Sequence, residues 1–423
     1  MIKILKKILL HVKPIYLYAV NFIYSLTENG QRTQTLKSIK TILGRTRSPG
    51  LCEFEDDFLT EKLLAHPALA PLPKIRLASS PSKDNVNRII ICERLLTAYH
   101  KSIKDESKST LKRVGEDLWS DLLRTELPLL MEAIEKYDPK ALSDFLLNFG
   151  NSYVWFGGIT TCIDGYNKNL KPDHVALTYY DKLVCLAEYL GILNYENPEA
   201  GPWGENLRLD PNFVIEKITE YLGISIAPPL DAIHTDGLDS STGLFHYRHV
   251  NGLYSAIRLK ELGGFDKPCL EFGGGLGISA MYAYKLGIKN YTMLDLPITC
   301  LLAGNYLLNS LGLDKVSLYG EPQKENKIKI LPYWECLNLP SNHFHVTLNQ
   351  DSFPEIADNL LREYLEQIKR LTRSYFLSIN HEVGFPRTVN QFVSEWTNFI
   401  KIYRSKYWIR EGYIEELWDI RQD

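Results

Sequence analysis

LEFGGGLG at residues 270–277, followed by YTMLDLP at 291–297, decides how the second half of this chain folds. PCLEF reads as a short apolar strand, the glycines as a tight turn, and ISAMYAYKLG as the helix after it. YTMLDL is the next strand, and its Asp295 falls 20 residues beyond Gly275. A strand, a glycine turn, a helix and an acidic strand end form the opening unit of a parallel sheet that holds a nucleotide-like ligand. Downstream, TCLLAGNYLLNSLG and DNLLREYLEQIKRL have helical spacing, while KVSLYG, FHVTLN and SYFLSIN read as three more strands. This alternation predicts an α/β fold, a doubly wound parallel sheet with helices on both faces and right-handed crossovers. The tail, KIYRSKYWIREGYIEELWDIRQD, predicts two antiparallel edge strands around a turn at Glu411-Gly412.

The glycine spacing discriminates between ligands. The dinucleotide pattern G-x-G-x-x-G, started at Gly273, needs its third glycine at 278, where the chain has Ile278. A P-loop needs Lys and Ser/Thr after its last glycine, but Ile278-Ser279 follows Gly277. The pattern here is E-x-G-x-G-x-G, from Glu271 through Gly273, Gly275 and Gly277. An acidic residue two positions before the first glycine suits a ligand with a cationic amino group and no pyrophosphate. Asp295 can accept both hydroxyls of a ribose, in NAD and S-adenosylmethionine alike. Residue chemistry therefore ranks S-adenosylmethionine ahead of NAD, with a ligand-free glycine turn as the bland alternative. Leu296 would pack on adenine or in the core, and Tyr319-Gly320-Glu321 would supply further adenine contacts.

LEFGGGLGISAMYAYKLGIKNYTMLDLP resembles motif I through the acidic loop of class I S-adenosylmethionine-dependent methyltransferases. RHVNGLY (248–254), LNQDSFPEI (348–356) and LSINHE (377–382) extend the likeness. Their order is similar to the sugar O-methyltransferase family of bacterial polysaccharide-type gene contexts, over roughly residues 150–385. The resemblance implies a Rossmann-like, seven-stranded methyltransferase sheet in the C-terminal half and methyl transfer to a sugar hydroxyl. That reaction is an in-line displacement, so the reactants must be aligned and the acceptor oxygen deprotonated. Glu271 would anchor the methionine amino group, and Asn349 and Arg248 would also touch the cofactor, Arg248 through the methionine carboxylate. His381 is the candidate general base, because imidazoles as a class can take a proton near neutrality. Glu382 or Asp351 would orient it. Asn380, Tyr247 and His249 are candidates for the substrate side. Glu355 would instead cap the helix that follows it. His246 and His249 lack an accompanying carboxylate pattern; Asp351 with a second carboxylate is the one arrangement that would suit a divalent cation, and no metal site is predicted. For each of these side chains, packing is the competing explanation.

The whole chain sets the outer bounds. Its 423 residues predict two or three domains: a mainly helical N-terminal region (1–150) serving as lid or dimer interface, a helical substrate region (151–265) and the catalytic sheet (266–423). Apolar residues make up 45% and aromatics 11%, enough for substantial cores. The net charge of −3 gives no field that would favour nucleic acid. The seven cysteines form no CxxC and are odd in number, which predicts reduced thiols in a cytoplasmic protein. Residues 1–27 are basic and amphipathic but not apolar enough to span a bilayer, so they predict either a packed helix or a peripheral membrane contact. Aromatics such as Tyr153, Trp155, Phe156, Tyr166 and Trp203 would stack on sugar rings or pack in the core. The expected partner is a carbohydrate or glycosylated small molecule. The alternatives are an NAD-dependent sugar oxidoreductase, disfavoured by Ile278, and a scaffold that kept the fold without the chemistry.

Overall fold

The computed structural model describes residues 75–77, 87–111, 127–149, 155–156, 159–160, 172–197, 205–229, 236–382, 387–410 and 412–420. The basic segment 1–27 lies outside the described residues, as do Tyr153, Tyr166 and Trp203. Among the described residues the first half is mainly helical, as its three- and four-residue apolar steps predict. The helices described there are α1 (Asn87–Glu106), α2 (Pro128–Glu135), α3 (Pro139–Asn148), α4 (Pro172–Tyr189) and α5 (Pro211–Leu222). Proline opens the last four, where its missing N–H costs no hydrogen bond. Asp138 and Asp210 cap α3 and α5 by accepting from backbone amides, and α5 ends on Gly223 in the left-handed conformation.

Short strands interrupt this region. β1 (Ile75–Leu77) lies in a stretch that reads as irregular, yet it pairs with β4 (Asp236–Asp239), which pairs with β5 (Leu244–Phe245). Between them in sequence, β2 (Trp155–Phe156) and β3 (Ile159–Thr160) form a two-stranded antiparallel pair. Helix α6 (Tyr247–Leu259) then leads into a π-helical turn, Lys260–Gly264. The apolar spacing of NGLYSAIRLKELGG (251–264) predicts a helix that starts at Asn251. Helix α6 begins four residues earlier because His246 Nδ1 accepts from the Arg248 amide at 3.2 Å and caps it.

The main sheet has eight strands: β6 (Cys269–Phe272), β7 (Tyr291–Asp295), β8 (Val316–Ser317), β9 (Ile328–Pro332), β10 (Phe344–Gln350), β11 (Thr372–His381), β12 (Phe399–Lys406) and β13 (Tyr413–Ile420). Their spatial order is β12-β13-β11-β10-β6-β7-β9-β8. From β8 to β11 all neighbours are parallel. Helices α7 (Ile278–Lys285), α8 (Pro297–Leu311), α9 (Asp358–Leu371) and the short α10 (Val389–Val393) connect them. The sheet thus matches the α/β expectation for the C-terminal half, with three corrections. It has eight strands where the family resemblance implies seven, because the two-residue β8 pairs beyond β9. KVSLYG supplies only Val316–Ser317, and the full third strand is IKILP of β9, whose apolar run Lys329 interrupts. The tail does add two antiparallel strands at one end of the sheet, but in reverse order: β13 lies between β11 and β12, so only β12 forms the edge. Burial explains this, because β13 is covered along nearly its whole length while β12 is mostly exposed. Lys401, Arg404 and Lys406 guard the resulting edge.

From β6 the chain winds outward through β7 to β9, then returns to the other side of β6 with β10. That reversal is the topological switch point, where a crevice opens beyond the carboxyl ends of the strands. The glycine turn after β6 and the NQDS segment at the end of β10 flank it.

Candidate functional site

One wall of the crevice is the glycine turn. Gly273, Gly275 and Gly277 have φ values of 70°, 56° and 79°, a left-handed region open to glycine at little cost. A Cβ on Gly273 would stand 2.1 Å from Ser352 Oγ, and one on Gly274 would stand 2.8 Å from Glu271 Oε2. The turn is therefore a close-packed cradle of bare backbone. Asp295, at the end of β7, accepts from the Gly275 amide at 2.9 Å (Oδ2) and from the Leu296 amide at 2.7 Å (Oδ1). Leu296 packs, partly buried, against both apolar cores. Behind the turn lies Glu271, 1% exposed, accepting from the Tyr291 hydroxyl at 2.8 Å. Burial pushes its carboxyl up to about 7, against the opposing pull of that hydrogen bond.

Asn349 closes the crevice floor. Its Nδ2 donates to Phe272 O at 2.9 Å and to Ser352 Oγ at 2.6 Å, and its Oδ1 accepts from Asn380 Nδ2 at 2.8 Å. Asn349 and Asn380 thus join the ends of β6, β10 and β11. Asn380 Oδ1 is buried without a hydrogen-bond partner.

The other wall is an arginine–carboxylate cluster. Asp351, with φ of 61°, accepts from Arg248 Nη1 at 2.6 Å and also from Arg410 and the Tyr413 hydroxyl. Burial alone would raise its carboxyl; Arg410 and Arg248 outweigh that and hold it well below the usual carboxylate range. Arg410 Cζ lies 4.0 Å from the Tyr413 ring centroid, and Arg248 Cζ lies 5.1 Å from that of Tyr247. His381 sits beside Tyr413, ring centroids 5.4 Å apart, because their positions pair across β11 and β13. Glu355 is half-buried nearby; burial first, then the Asp351 charge, pushes it up to about 7.

The geometry distributes the expected site residues unevenly. Glu271, the glycines, Asp295, Leu296 and Asn349 meet at the switch point. Tyr247, Arg248, Asp351 and His381 gather on the opposite wall, so Arg248 is engaged with Asp351 there. Glu382 instead pairs with Arg404 at 2.6 and 2.9 Å. His249 is buried against Tyr282, with Nδ1 3.4 Å from its hydroxyl, and burial lowers it to about 3. Glu321 clamps Arg94 of α1 and accepts from the Leu318 amide, so Tyr319-Gly320-Glu321 serves the packing of α1. Arg410 and Tyr413 were missed because they lie 59 and 62 residues from Asp351 in a tail with no motif of its own. Among the described residues no group of three His, Cys, Asp or Glu could hold a metal ion. No helix among them is long and apolar enough to cross a membrane.

No family model matches this sequence, and no curated protein matches it. Solved structures do. A SAM dependent methyltransferase from Aquifex aeolicus is similar over 40% of this chain and 89% of its own, at 18% identity and a TM-score of 0.28. Geranyl diphosphate methyltransferase in complex with SAM is similar over 41% of this chain and 87% of its own, at 12% identity and a TM-score of 0.32.

Proposed function

We propose that this protein is an S-adenosylmethionine-dependent O-methyltransferase acting on a hydroxyl of a carbohydrate-type acceptor. The observation that carries this reading is the Gly275 amide held 2.9 Å from the Asp295 carboxylate at the switch point, with acidic Glu271 buried directly behind the turn. The fit is chemical. A cradle of bare backbone beside the Asp295 carboxylate suits a ligand with ribose hydroxyls, and the acidic Glu271 behind the turn favours a cationic amino group over a pyrophosphate. Bound there, S-adenosylmethionine supplies an electrophilic methyl group. The chain's own residues have three tasks. Glu271 and Asp295 orient the ligand, the Asn349 web fixes the distance between the two walls, and His381 receives the acceptor proton. The rings of Tyr247 and Tyr413 offer faces for a sugar, with the polar groups of Arg248, Arg410 and Asp351 between them. The RHVNGLY and NQDSFPEI segments, which bring the family resemblance, supply much of this wall.

The test is calorimetric titration of the purified chain with S-adenosylhomocysteine and with NAD. Binding of S-adenosylhomocysteine with a Kd on the order of micromolar is expected. Binding of NAD alone would overturn the reading, and binding of neither would leave a scaffold. His381→Ala should retain S-adenosylhomocysteine affinity and lose about 100-fold or more in turnover. Unchanged turnover would remove His381 as the proton acceptor.

A further inference from the structure

We infer that Arg248 and Arg410 form a receptor for an oxyanion on the acceptor, a carboxylate or phosphate carried near the hydroxyl that is methylated. The word acceptor rests on the methyltransferase reading; the anion receptor itself does not.

Both guanidiniums converge on one oxygen, Asp351 Oδ2, and each spends a single N–H on it. A guanidinium has five donors in a planar fork that matches carboxylate and phosphate geometry. Arg248 Nε is buried without a partner, a cost that an incoming oxygen would relieve. Aromatic faces hold the fork in place: Arg410 lies over Tyr413 and, at 5.6 Å, over Tyr247, which Arg248 also faces. Among the described residues this wall brings two fixed positive charges to one firmly ionised carboxylate. Glu355 does not balance the excess fully, because it shares its proton near neutrality. Arg404, by contrast, is answered by both Glu382 and Glu416. Asp351 reaches the arginines from a left-handed backbone position that a non-glycine residue seldom adopts, so the chain is bent to bring a carboxylate there. Its seat shows that the gap between the guanidiniums accommodates a carboxylate oxygen. Asp351 is therefore an internal competitor for the ligand, on a pair of guanidiniums that the tyrosine rings hold in place.

The test uses the full chain and two simple probes, inorganic phosphate and acetate, each titrated against chloride at matched ionic strength while Tm is followed. At least one should raise Tm saturably; a phosphate response points to a phosphorylated acceptor and an acetate response to a carboxylated one. Asp351→Asn, compatible with the left-handed position, should tighten the responding anion about tenfold by removing the competitor. Arg410→Gln should abolish the response. If that variant does not unfold cooperatively, Arg410→Lys replaces it, and a point charge without the fork should weaken binding about tenfold. No response to either anion, a response surviving Arg410→Gln, or weaker binding in Asp351→Asn would overturn the inference. S-adenosylhomocysteine affinity on the same samples separates the two claims. Anion binding without it removes the methyltransferase reading alone, and the reverse removes this one.

Discussion

At the scale of single residues, the glycine turn and its acids make the sharpest predictions. Gly273→Ala places a Cβ in a left-handed position and onto Ser352, whose hydroxyl is tied to Asn349. Destabilisation of about 2–4 kcal/mol is expected by urea denaturation, with loss of S-adenosylhomocysteine binding. Glu271 predicts a pH effect. Its folded-state carboxyl is raised to about 7 from an ordinary value of 4.5, so the folded state holds the extra proton between those values. Its destabilising charge is fully present above pH 7, and stability returns as pH falls from 7 toward 4.5. Glu355 acts in the same direction over the same window. His246 and His249 act oppositely: their depressed values withdraw stability as pH falls below 6.5. Apo-protein stability should therefore rise from pH 8 to about 6.5, then level off. Glu271→Gln should raise Tm at pH 8 more than at pH 5.5; an equal change at both would show that Glu271 is ionised throughout. Legibility divides along the same residues. The glycines and Asp295 could be read because one turn and one neighbouring strand fix their spacing. Arg410 with Asp351 could not, because only the tertiary fold joins them.

At the scale of elements, α6 decides whether the arginine wall stands. Its first turn carries Tyr247 and Arg248, and its body is fastened to β13 through Glu415. That carboxylate accepts from Tyr254 at 2.6 Å, from Arg258 Nε at 3.1 Å and from Tyr403; Arg258 also donates to Tyr403 at 2.7 Å. A second link runs from Asn251 through Tyr407. Glu415 is 3% exposed, so Glu415→Ala leaves the Arg258 charge without its main partner. About 3–5 kcal/mol of stability should be lost, measured by urea denaturation, and anion binding at Arg248 should weaken with it. A loss below about 1 kcal/mol would mean that the network is no brace. This element also shows what periodicity conveys. The helical body of α6 was legible, but its first turn was not, because it depends on a histidine cap. Likewise β9 escaped notice because Lys329 divides a five-residue apolar strand, and β13 looked like an edge until its buried length put it inside the sheet.

At the scale of the molecule, the question is how the helical first half is joined to the sheet. Among the described residues helix α1 is one joint. Arg94 reaches Glu321 at 2.7 and 2.8 Å and the carbonyls of Leu313 and Val316 at 3.1 Å each, while Asp105 and Glu106 accept from Tyr319 and Tyr333. Beneath these polar ties, Leu95 lies against Gly304 of α8, so close that a Cβ there would stand 2.6 Å from Leu95 Cδ2. One apolar cluster accordingly runs from Ile91 to Leu417, through both halves. This contact can be tested as a lock and its key. Leu95→Ala should cost about 2–5 kcal/mol by opening a cavity. Gly304→Ala should cost about 1–3 kcal/mol by forcing α1 away from α8, despite the gain in helix propensity. In the double variant the new methyl occupies part of the space that Leu95 vacates. Its total loss should fall short of the sum by about 1 kcal/mol or more, and far-ultraviolet circular dichroism and tryptophan fluorescence should report one transition. Additive losses would show that α1 does not seat on α8, and two separate transitions would show that the helical half and the sheet fold independently.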